Sequence, residues 1–450
     1  MAIVSLAAGA AVAPAAHAQG PPVPQLHWQD CDDGFQCATA TVPLDYSRPG
    51  KATYHVALIR KVATGPGARI GSLFTNPGGP GASGVDFVRA TADSLYANLN
   101  QRYDIVGFDP RGTGASDAAL DCKANQETEG IYSIPYATPE TDPQALLAKD
   151  RKYVRQCVQL NRAILPYVTT GNVVRDLDLL RQAVGDNKLN YLGFSYGTFL
   201  GATYASLFPG RLGHVVLDGP VDADSYINHP TGDLQAQTGG FERELDRFFQ
   251  ACAVDQDACL GFGGSDPHAA FDQLVEQANA HPIPADAFTP DPRPVTGDDI
   301  LNATVYNLYA KQYWKYIAQD LAAAAAGDGS WIRYDSDSSL GNNYDGTFDP
   351  GTDRYFLIGA IEQRYKPNFD KYFRLGKASY DTFDHFWFNS GYVELNYGLF
   401  PIAPNGRYGG PFTIPASAST PLVVATTYDP ATPYRGAKAL VKDLRNARLL

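Results

Sequence analysis

Short, almost wholly apolar segments constrain the fold of this chain more than any other feature. The clearest four cover residues 69–76, 103–109, 189–195 and 213–219. Each ends in Gly, Asp, Asn or Ser, as strands buried on both faces of a sheet commonly do. Helical spacing separates them, most clearly over 142–185, and this alternation predicts a mostly parallel sheet with helices on both faces.

The strand pattern stops near residue 220 and returns only at 421. Helical, aromatic-rich sequence with proline-rich joints fills the interval. We therefore predict a core domain formed by residues 28–220 and 416–450, with a helix-rich cap, residues 221–415, inserted between its two parts.

Two further predictions concern individual elements. Residues 38–46 and 54–62 predict two early strands that form a hairpin. Residues 298–329 predict one long helix of the cap, with Asp298 or Asp299 as its N-cap.

The N-terminus is typical of an export signal. Residues 1–18 are small and apolar, and the sequence AHA before Gln19 resembles a signal-peptidase site. No Lys or Arg precedes Arg48, so the basic segment of such a signal is missing and we interpret the signal as incomplete. A secreted protein is expected, and its six cysteines then predict disulfides. Fifteen connectivities are possible; we favour the sequential pairs Cys31–Cys37, Cys122–Cys157 and Cys252–Cys259.

The composition and the motifs limit which partners and cofactors are expected. The formal net charge of −12 argues against nucleic acid or an anionic membrane as the main partner. No C-x-x-C occurs, so a structural zinc site is not expected. The acidic stretch 335–353 lacks the ligand spacing and closing Glu of a calcium loop, and we interpret it as a solvated loop. The sequence therefore predicts neither a metal nor an organic cofactor.

The sequence GFSYG, residues 193–197, follows a predicted strand and precedes a predicted helix. Strand, Gly-x-Ser-x-Gly and helix in this order predict a sharp turn that exposes a nucleophilic serine, here Ser195. β-Carbons at Gly193 and Gly197 would collide with neighbouring backbone in such a turn. The alternative is an ordinary helix N-terminus that contains serine and glycine but has no catalytic role.

The glycine-rich stretch 74–84 also follows a predicted strand. A loop there can hold a backbone N–H that faces the serine. We predict that the N–H groups of Tyr196 and Gly79 stabilise the negative charge of an acyl-transfer intermediate. A plain tight turn is the alternative.

A serine nucleophile of this kind needs an acid and a histidine. Asp429 ends the late strand and is the preferred acid, while Asp218, at the end of an earlier strand, competes with it. Asp109 ends a strand as well, and we expect it to shape its loop together with Arg111.

The histidine should follow the strand after the acid. No residue from 430 to 450 is a histidine, so we expect the catalytic histidine beyond residue 450. His214 begins a predicted strand and would lie at the wrong end of the sheet. His229, His268, His281 and His385 fall in the predicted cap, where surface or packing roles are expected, and His17, His27 and His55 precede the serine in the chain.

Several motifs in order resemble one family. CATATVPLDYSRPG, TNPGGPGASG, FDPRGTGASD, the segment 169–222 and YDPATPYRGAKAL are similar to those of secreted tripeptidyl aminopeptidases of actinobacterial type. These belong to the proline-iminopeptidase-related branch of the α/β-hydrolases. The resemblance covers residues 28–225 and 415–450.

The resemblance implies an α/β-hydrolase fold with an inserted cap and a serine peptidase that releases short peptides from free N-termini. Ser195 would be the nucleophile, Asp429 the acid, and Tyr196 and Gly79 the oxyanion donors. An exopeptidase must also bind the substrate ammonium, and Glu242, Glu244 and Glu362 are the candidates in the cap. An esterase on the same fold, or a binding protein that truly lacks the histidine, are the alternative functions.

Overall fold

The computed structural model describes residues 20–31 and 33–450. The predicted signal, residues 1–18, lies outside them, as does His17. Within the described residues the strands form one nine-stranded sheet. The strands are β1 (Gln29–Asp30), β2 (Phe35–Pro43), β3 (Thr53–Lys61), β4 (Gly71–Asn76), β5 (Tyr103–Phe108), β6 (Leu189–Phe194), β7 (Leu212–Asp218), β8 (Leu422–Val424) and β9 (Arg448–Leu449).

The sheet has the order β1-β2-β3-β5-β4-β6-β7-β8-β9. Strands β1, β2 and β3 pair antiparallel, and β3 pairs antiparallel with β5. From β5 to β9 every pairing is parallel. The predicted hairpin and the predicted mostly parallel sheet are therefore confirmed. Every residue of β4 and β5 is buried, as expected for central strands of a sheet that is covered on both faces.

Helices lie between the strands of the core and fill the long interval between β7 and β8. Those between the strands of the core are α1 (Gly84–Thr91), α2 (Pro143–Asn161), α3 (Thr170–Ala183) and α4 (Tyr196–Leu207). Between β7 and β8 lie α5 (Ala223–Asn228), α6 (Pro230–Val254), α7 (Pro267–Ala280), α8 (Gly297–Asn307), α9 (Trp314–Ala325), α10 (Ser330–Leu340), α11 (Gly351–Glu362), α12 (Phe369–Tyr380) and α13 (Glu394–Leu399). Helix α14 (Tyr434–Leu444) joins β8 to β9. None of the described helices is long and apolar enough to cross a membrane.

The single long helix predicted over 298–329 is wrong. Helix α8 ends at Asn307, a short 3₁₀ turn covers Lys311–Tyr313, and α9 begins at Trp314. The bend allows both α8 and α9 to pack against α10, which one straight helix could not do. The N-cap is Thr296, because its hydroxyl accepts the Asp299 N–H at 3.4 Å while the Asp299 carboxylate accepts the Thr296 N–H at 2.8 Å.

The stretch 335–353 is only partly a solvated loop. Its first six residues complete α10, and its last three begin α11. Asp337 is fully buried and pairs with Arg333 at 3.3 Å. Helical spacing is weak here because Asp and Ser dominate the segment, and tertiary packing decides its conformation.

The disulfides join Cys31 to Cys37, Cys122 to Cys157 and Cys252 to Cys259. This is the sequential pairing that the sequence favoured. The first lies beside the hairpin, the second ties α2 to the loop after β5, and the third closes the C-terminal end of α6.

Asp109 shapes the loops around it as expected, but without Arg111. Its carboxylate accepts hydrogen bonds from the Ser83 hydroxyl at 2.6 Å and from the Ala115 N–H at 2.7 Å. Arg111 is fully buried and donates instead to both oxygens of Asp176, at 2.6 and 2.8 Å. Because Asp176 lies on α3, this ion pair joins the loop after β5 to a core helix.

Candidate active site

Ser195 lies on the turn that joins β6 to α4. Its backbone has φ of 53° and ψ of −123°, a conformation that costs a residue with a β-carbon about 1–3 kcal/mol. The Ser195 N–H donates to the Asp218 carbonyl oxygen at 3.1 Å, which attaches the turn to the end of β7. The serine therefore lies at the carboxyl edge of the parallel strands, at the N-terminus of a helix.

The glycines that flank Ser195 are required by space. A β-carbon at Gly193 would lie 2.4 Å from the Gly197 carbonyl oxygen, and one at Gly197 would lie 2.7 Å from that of Asn76. Both distances are far below van der Waals contact. The Gly-x-Ser-x-Gly sequence thus has the steric role that the sequence analysis inferred.

Backbone donors approach Ser195 from two segments. Neither the Tyr196 N–H nor the Gly79 N–H has an acceptor within the described part of the chain, and both residues line the same cleft as Ser195. The neighbouring N–H of Gly78 is occupied, because it donates to the Asn76 side chain at 3.0 Å. Both N–H groups therefore lack an acceptor among the described residues and line the cleft of the serine, and their role as oxyanion donors stays a prediction.

Asp429 lies close to the nucleophile despite the long insertion between them. A β-carbon built on Gly219 would be 3.6 Å from the Asp429 Oδ2 and 3.9 Å from the Ser195 nitrogen. Thr432 fixes the carboxylate, since its N–H donates to Oδ1 at 2.8 Å and its hydroxyl to Oδ2 at 2.9 Å. Burial raises the pKa of Asp429, and the Thr432 hydrogen bonds act in the opposite direction.

Asp218 is a close neighbour of Asp429. Burial raises the pKa of Asp218, and the charge of Asp429 raises it further. Its backbone oxygen already holds the serine turn. Asp218 thus ends β7, Asp429 lies in the loop that follows the adjacent strand β8, and the hydrogen bonds of Thr432 fix only the carboxylate of Asp429.

No histidine among residues 20–31 and 33–450 hydrogen-bonds to Ser195 or Asp429. His214 lies on β7 and its Nδ1 is 2.8 Å from the hydroxyl of Tyr103. His385 lies between two carboxylates, with Nδ1 3.1 Å from Glu242 and Nε2 2.9 Å from Asp272. These contacts agree with the packing and surface roles that the sequence analysis expected.

A cleft of about 1550 Å³ extends from Ser195 into the helical insertion. Small-molecule pockets usually occupy about 300–1,000 Å³, so this space accepts a ligand of several amino-acid residues. Its walls are rich in tyrosine and other aromatic side chains. Acidic side chains line it as well: Asp86, Asp222, Asp233, Asp320, Asp335 and Asp349.

The three glutamates predicted to bind a substrate ammonium do not line this cleft. Glu242 accepts the N–H groups of His385 and Phe386, at 2.9 and 2.7 Å, and so fixes a loop. Glu244 pairs with Arg247 at 2.7 Å. Glu362 is fully buried and accepts the Thr170 N–H at 3.0 Å. Each carboxylate is held inside the protein by local donors.

Sequence reasoning missed the carboxylates that do reach the cleft. Asp335 falls in the stretch interpreted as a solvated loop, and Asp320 falls inside what was expected to be one straight helix. The only signal in the sequence is an Asp placed directly before the apolar run 321–326, where a buried carboxyl is unusual.

The geometry agrees with comparisons to known proteins. The sequence model of the alpha/beta hydrolase fold family matches residues 72–450. The serine protease Hip1 of Mycobacterium tuberculosis is 32% identical over 429 residues, which cover 92% of this chain and 80% of the relative.

Two further relatives have a similar sequence identity to this chain. A tripeptidyl aminopeptidase of Streptomyces coelicolor is 30% identical over 463 residues, covering 99% of this chain and 81% of that protein. A carboxylesterase B of M. tuberculosis is 31% identical over 460 residues, covering 97% and 86%. With the serine turn, the parallel sheet and the inserted helices, these matches show that the chain belongs to the α/β-hydrolase family.

Proposed function

We propose that this protein is a secreted serine exopeptidase that releases tripeptides, or other short peptides, from free N-termini. The observation that carries the proposal is the position of Ser195, on a strained turn at one end of a large cleft and beside two unpaired backbone N–H groups. Relatives named as a serine protease and a tripeptidyl aminopeptidase support peptide chemistry.

In the proposed reaction the Ser195 hydroxyl attacks the carbonyl carbon of the scissile peptide bond. The negative charge that develops on the carbonyl oxygen is stabilised by the N–H groups of Tyr196 and Gly79. Losing one such donor typically costs about 3–4 kcal/mol of transition-state stabilisation. The amine leaves with a proton, an acyl-enzyme remains, and water then hydrolyses it.

Asp429 would orient the base and stabilise its protonated form. In the chain order of this family the base is a histidine that follows the strand after the acid, here β9. We therefore propose that the histidine lies C-terminal to Leu450. The coding sequence after codon 450 tests this directly, since it should contain a histidine within a loop length, about 5–15 residues.

An esterase is the second candidate, because a relative of similar identity is named carboxylesterase B. The fold and the serine turn serve ester and amide substrates equally. Tripeptidyl p-nitroanilides with free and acetylated N-termini, compared with p-nitrophenyl esters, separate the two functions. The exopeptidase proposal requires that the free peptide is cleaved much faster than the acetylated one.

A fluorophosphonate probe tests the nucleophile without reference to the substrate. The protein extended through the expected histidine should be labelled, and its Ser195→Ala variant should not. If the extended protein contains no histidine and takes up no label, the non-catalytic binding protein becomes the better explanation.

A further inference from the structure

Two carboxyl groups meet on the cleft wall, far along the sequence from the catalytic residues. Asp320 lies on α9 and Asp335 on α10, and the two carboxyl groups are close enough that Asp335 contributes to raising the pKa of Asp320. Both line the same cleft as Ser195. The Asn307 side-chain amide, at the end of α8, donates to Asp335. Three helices of the insertion thus bring the pair together.

The pair has no positive partner. Asp320 is only 4% exposed, no donor of the described residues hydrogen-bonds to its side chain, and the charged group that acts on it is another acid, Asp335. No Lys or Arg of residues 20–31 and 33–450 forms an ion pair with Asp320 or Asp335. Burying carboxyl groups in this way is unfavourable unless a cation compensates them.

Aromatic side chains surround this part of the cleft. Tyr316 on α9 and Trp331 and Tyr334 on α10 are 42–49% exposed and line the cleft. The rings of Trp331 and Tyr334 pack edge to face with centroids 6.5 Å apart. Aromatic faces attract cations, by about 0.5–2 kcal/mol each, so the walls and the carboxyls favour the same kind of ligand.

We propose that Asp320 and Asp335 bind the primary ammonium group at the N-terminus of the peptide substrate. The inference rests on the proposed exopeptidase function. The role that the sequence analysis gave to three glutamates outside the cleft is thereby assigned to two aspartates that line it. An acyl group on the substrate nitrogen removes the positive charge and adds bulk, so a blocked peptide loses this contact.

The pair holds on to protons more strongly than exposed carboxyls do. Burial raises the pKa of Asp320 to about 9, with the neighbouring Asp335 adding to the shift, and burial raises the pKa of Asp335 as well. Two such carboxyls titrate together, and a bound cation favours their ionised form. Either single Asp→Asn change still leaves one carboxyl able to ionise beside an ammonium group.

Peptide binding, measured by calorimetry at pH 7, tests the proposal without any turnover. The probes are the tripeptide amide Ala-Ala-Ala-NH₂ and its N-acetyl derivative. We expect the unmodified protein to bind the free peptide at least about tenfold more tightly, which is 1.4 kcal/mol. The Asp320→Asn/Asp335→Asn double variant should bind both peptides with equal affinity.

Asp86→Asn is the matched control, because Asp86 is an exposed acid that lines the same cleft and lies on α1. It should keep the full preference for the free peptide, as should each single variant of the pair. Equal binding of both peptides by the unmodified protein would overturn the proposal, and so would a preference that survives in a folded double variant.

Fluorophosphonate labelling separates this inference from the proposed function. The double variant should keep labelling of Ser195, since it leaves the serine turn untouched. Ser195→Ala should lose the label and keep the preference for the free peptide. A variant that loses the preference for the free peptide but keeps labelling is therefore affected only at the proposed ammonium site. A variant that loses labelling but keeps the preference is affected only in the catalytic machinery.

Discussion

Gly78 and Ser195 are packed so closely that a β-carbon on Gly78 would lie 2.9 Å from the β-carbon of Ser195. The same atom would lie 2.7 Å from the Phe194 carbonyl oxygen, and the φ of Gly78 is 102°. The sequence analysis expected Gly79 to approach the serine. The structure places Gly78 in steric contact with the serine turn, and the following residue carries the free N–H.

Replacing Gly78 by Ala should therefore impair the nucleophile. The added methyl group must displace the serine turn, and a displacement near 1 Å can reduce a rate by about 100-fold. We expect a loss of this order in the rate of fluorophosphonate labelling. Gly185→Ala is the control, because Gly185 has φ of 84° and a β-carbon built on it would meet no atom within 4 Å beyond its chain neighbours. The Gly185→Ala variant should suffer only the backbone strain of alanine at a positive φ, and its rate of labelling should be unchanged.

Replacing Asp429 and replacing Asp218 should affect activity differently, measured in a protein extended through the histidine that we propose C-terminal to Leu450. Asp429→Asn removes the charge that Thr432 holds in place, and replacing a triad acid in this way lowers kcat by about 10⁴-fold. Asp218→Asn should leave kcat within the same order of magnitude. Turnover of a tripeptidyl p-nitroanilide measures both. The reverse order of effects would identify Asp218 as the acid.

The strands and the serine turn could be predicted because each depends on a short stretch of sequence. A strand buried on both faces, such as β5, is mostly apolar over a short run, and the turn at Ser195 needs glycine on both sides. These requirements are local, so they are visible in the residues themselves. The disulfides followed for a related reason, since the favoured pairs are close in sequence.

The proposed ammonium site could not be predicted because it depends on how helices pack. Asp320 and Asp335 come together because α9 and α10, which follow the bend at Lys311–Tyr313, pack against each other. Similarly, Arg111 finds Asp176 across 65 residues of sequence rather than Asp109 nearby. Ion pairs and acid pairs of this kind have no periodic signal, because a charged residue looks the same in a sequence whether it is solvated or buried.

Glu362 should make stability depend on pH. Burial raises the pKa of its carboxyl to about 7 from a usual 4.5, and one oxygen has no hydrogen-bond partner among the described residues. Below pH 4.5 both folded and unfolded states hold the proton. As pH rises to 7 the unfolded state loses it first, so stability falls by up to about 3 kcal/mol.

Glu362→Gln removes this effect, because the amide stays neutral while its oxygen can still accept the Thr170 N–H. Urea unfolding at pH 5 and pH 8 measures it, and the variant should lose less stability than the unmodified protein between the two values. Exposed Glu140→Gln should behave as the unmodified protein does. An unchanged pH dependence in Glu362→Gln would show that the carboxyl ionises freely in the folded state.

The disulfides should contribute unequally to stability, in the order of the loops they close. Cys122 and Cys157 are 35 residues apart, whereas Cys252 and Cys259 are seven apart. The chain-entropy model assigns about 4 kcal/mol to the first loop and about 2 kcal/mol to the second.

All four cysteines are buried, so replacing each pair by alanines removes similar side-chain contacts. The free energies of urea unfolding of the two double variants should therefore differ by about 1.4 kcal/mol, with Cys122→Ala/Cys157→Ala the less stable. Equal losses would mean that contacts in the folded state, rather than restriction of the unfolded chain, determine what these bonds contribute.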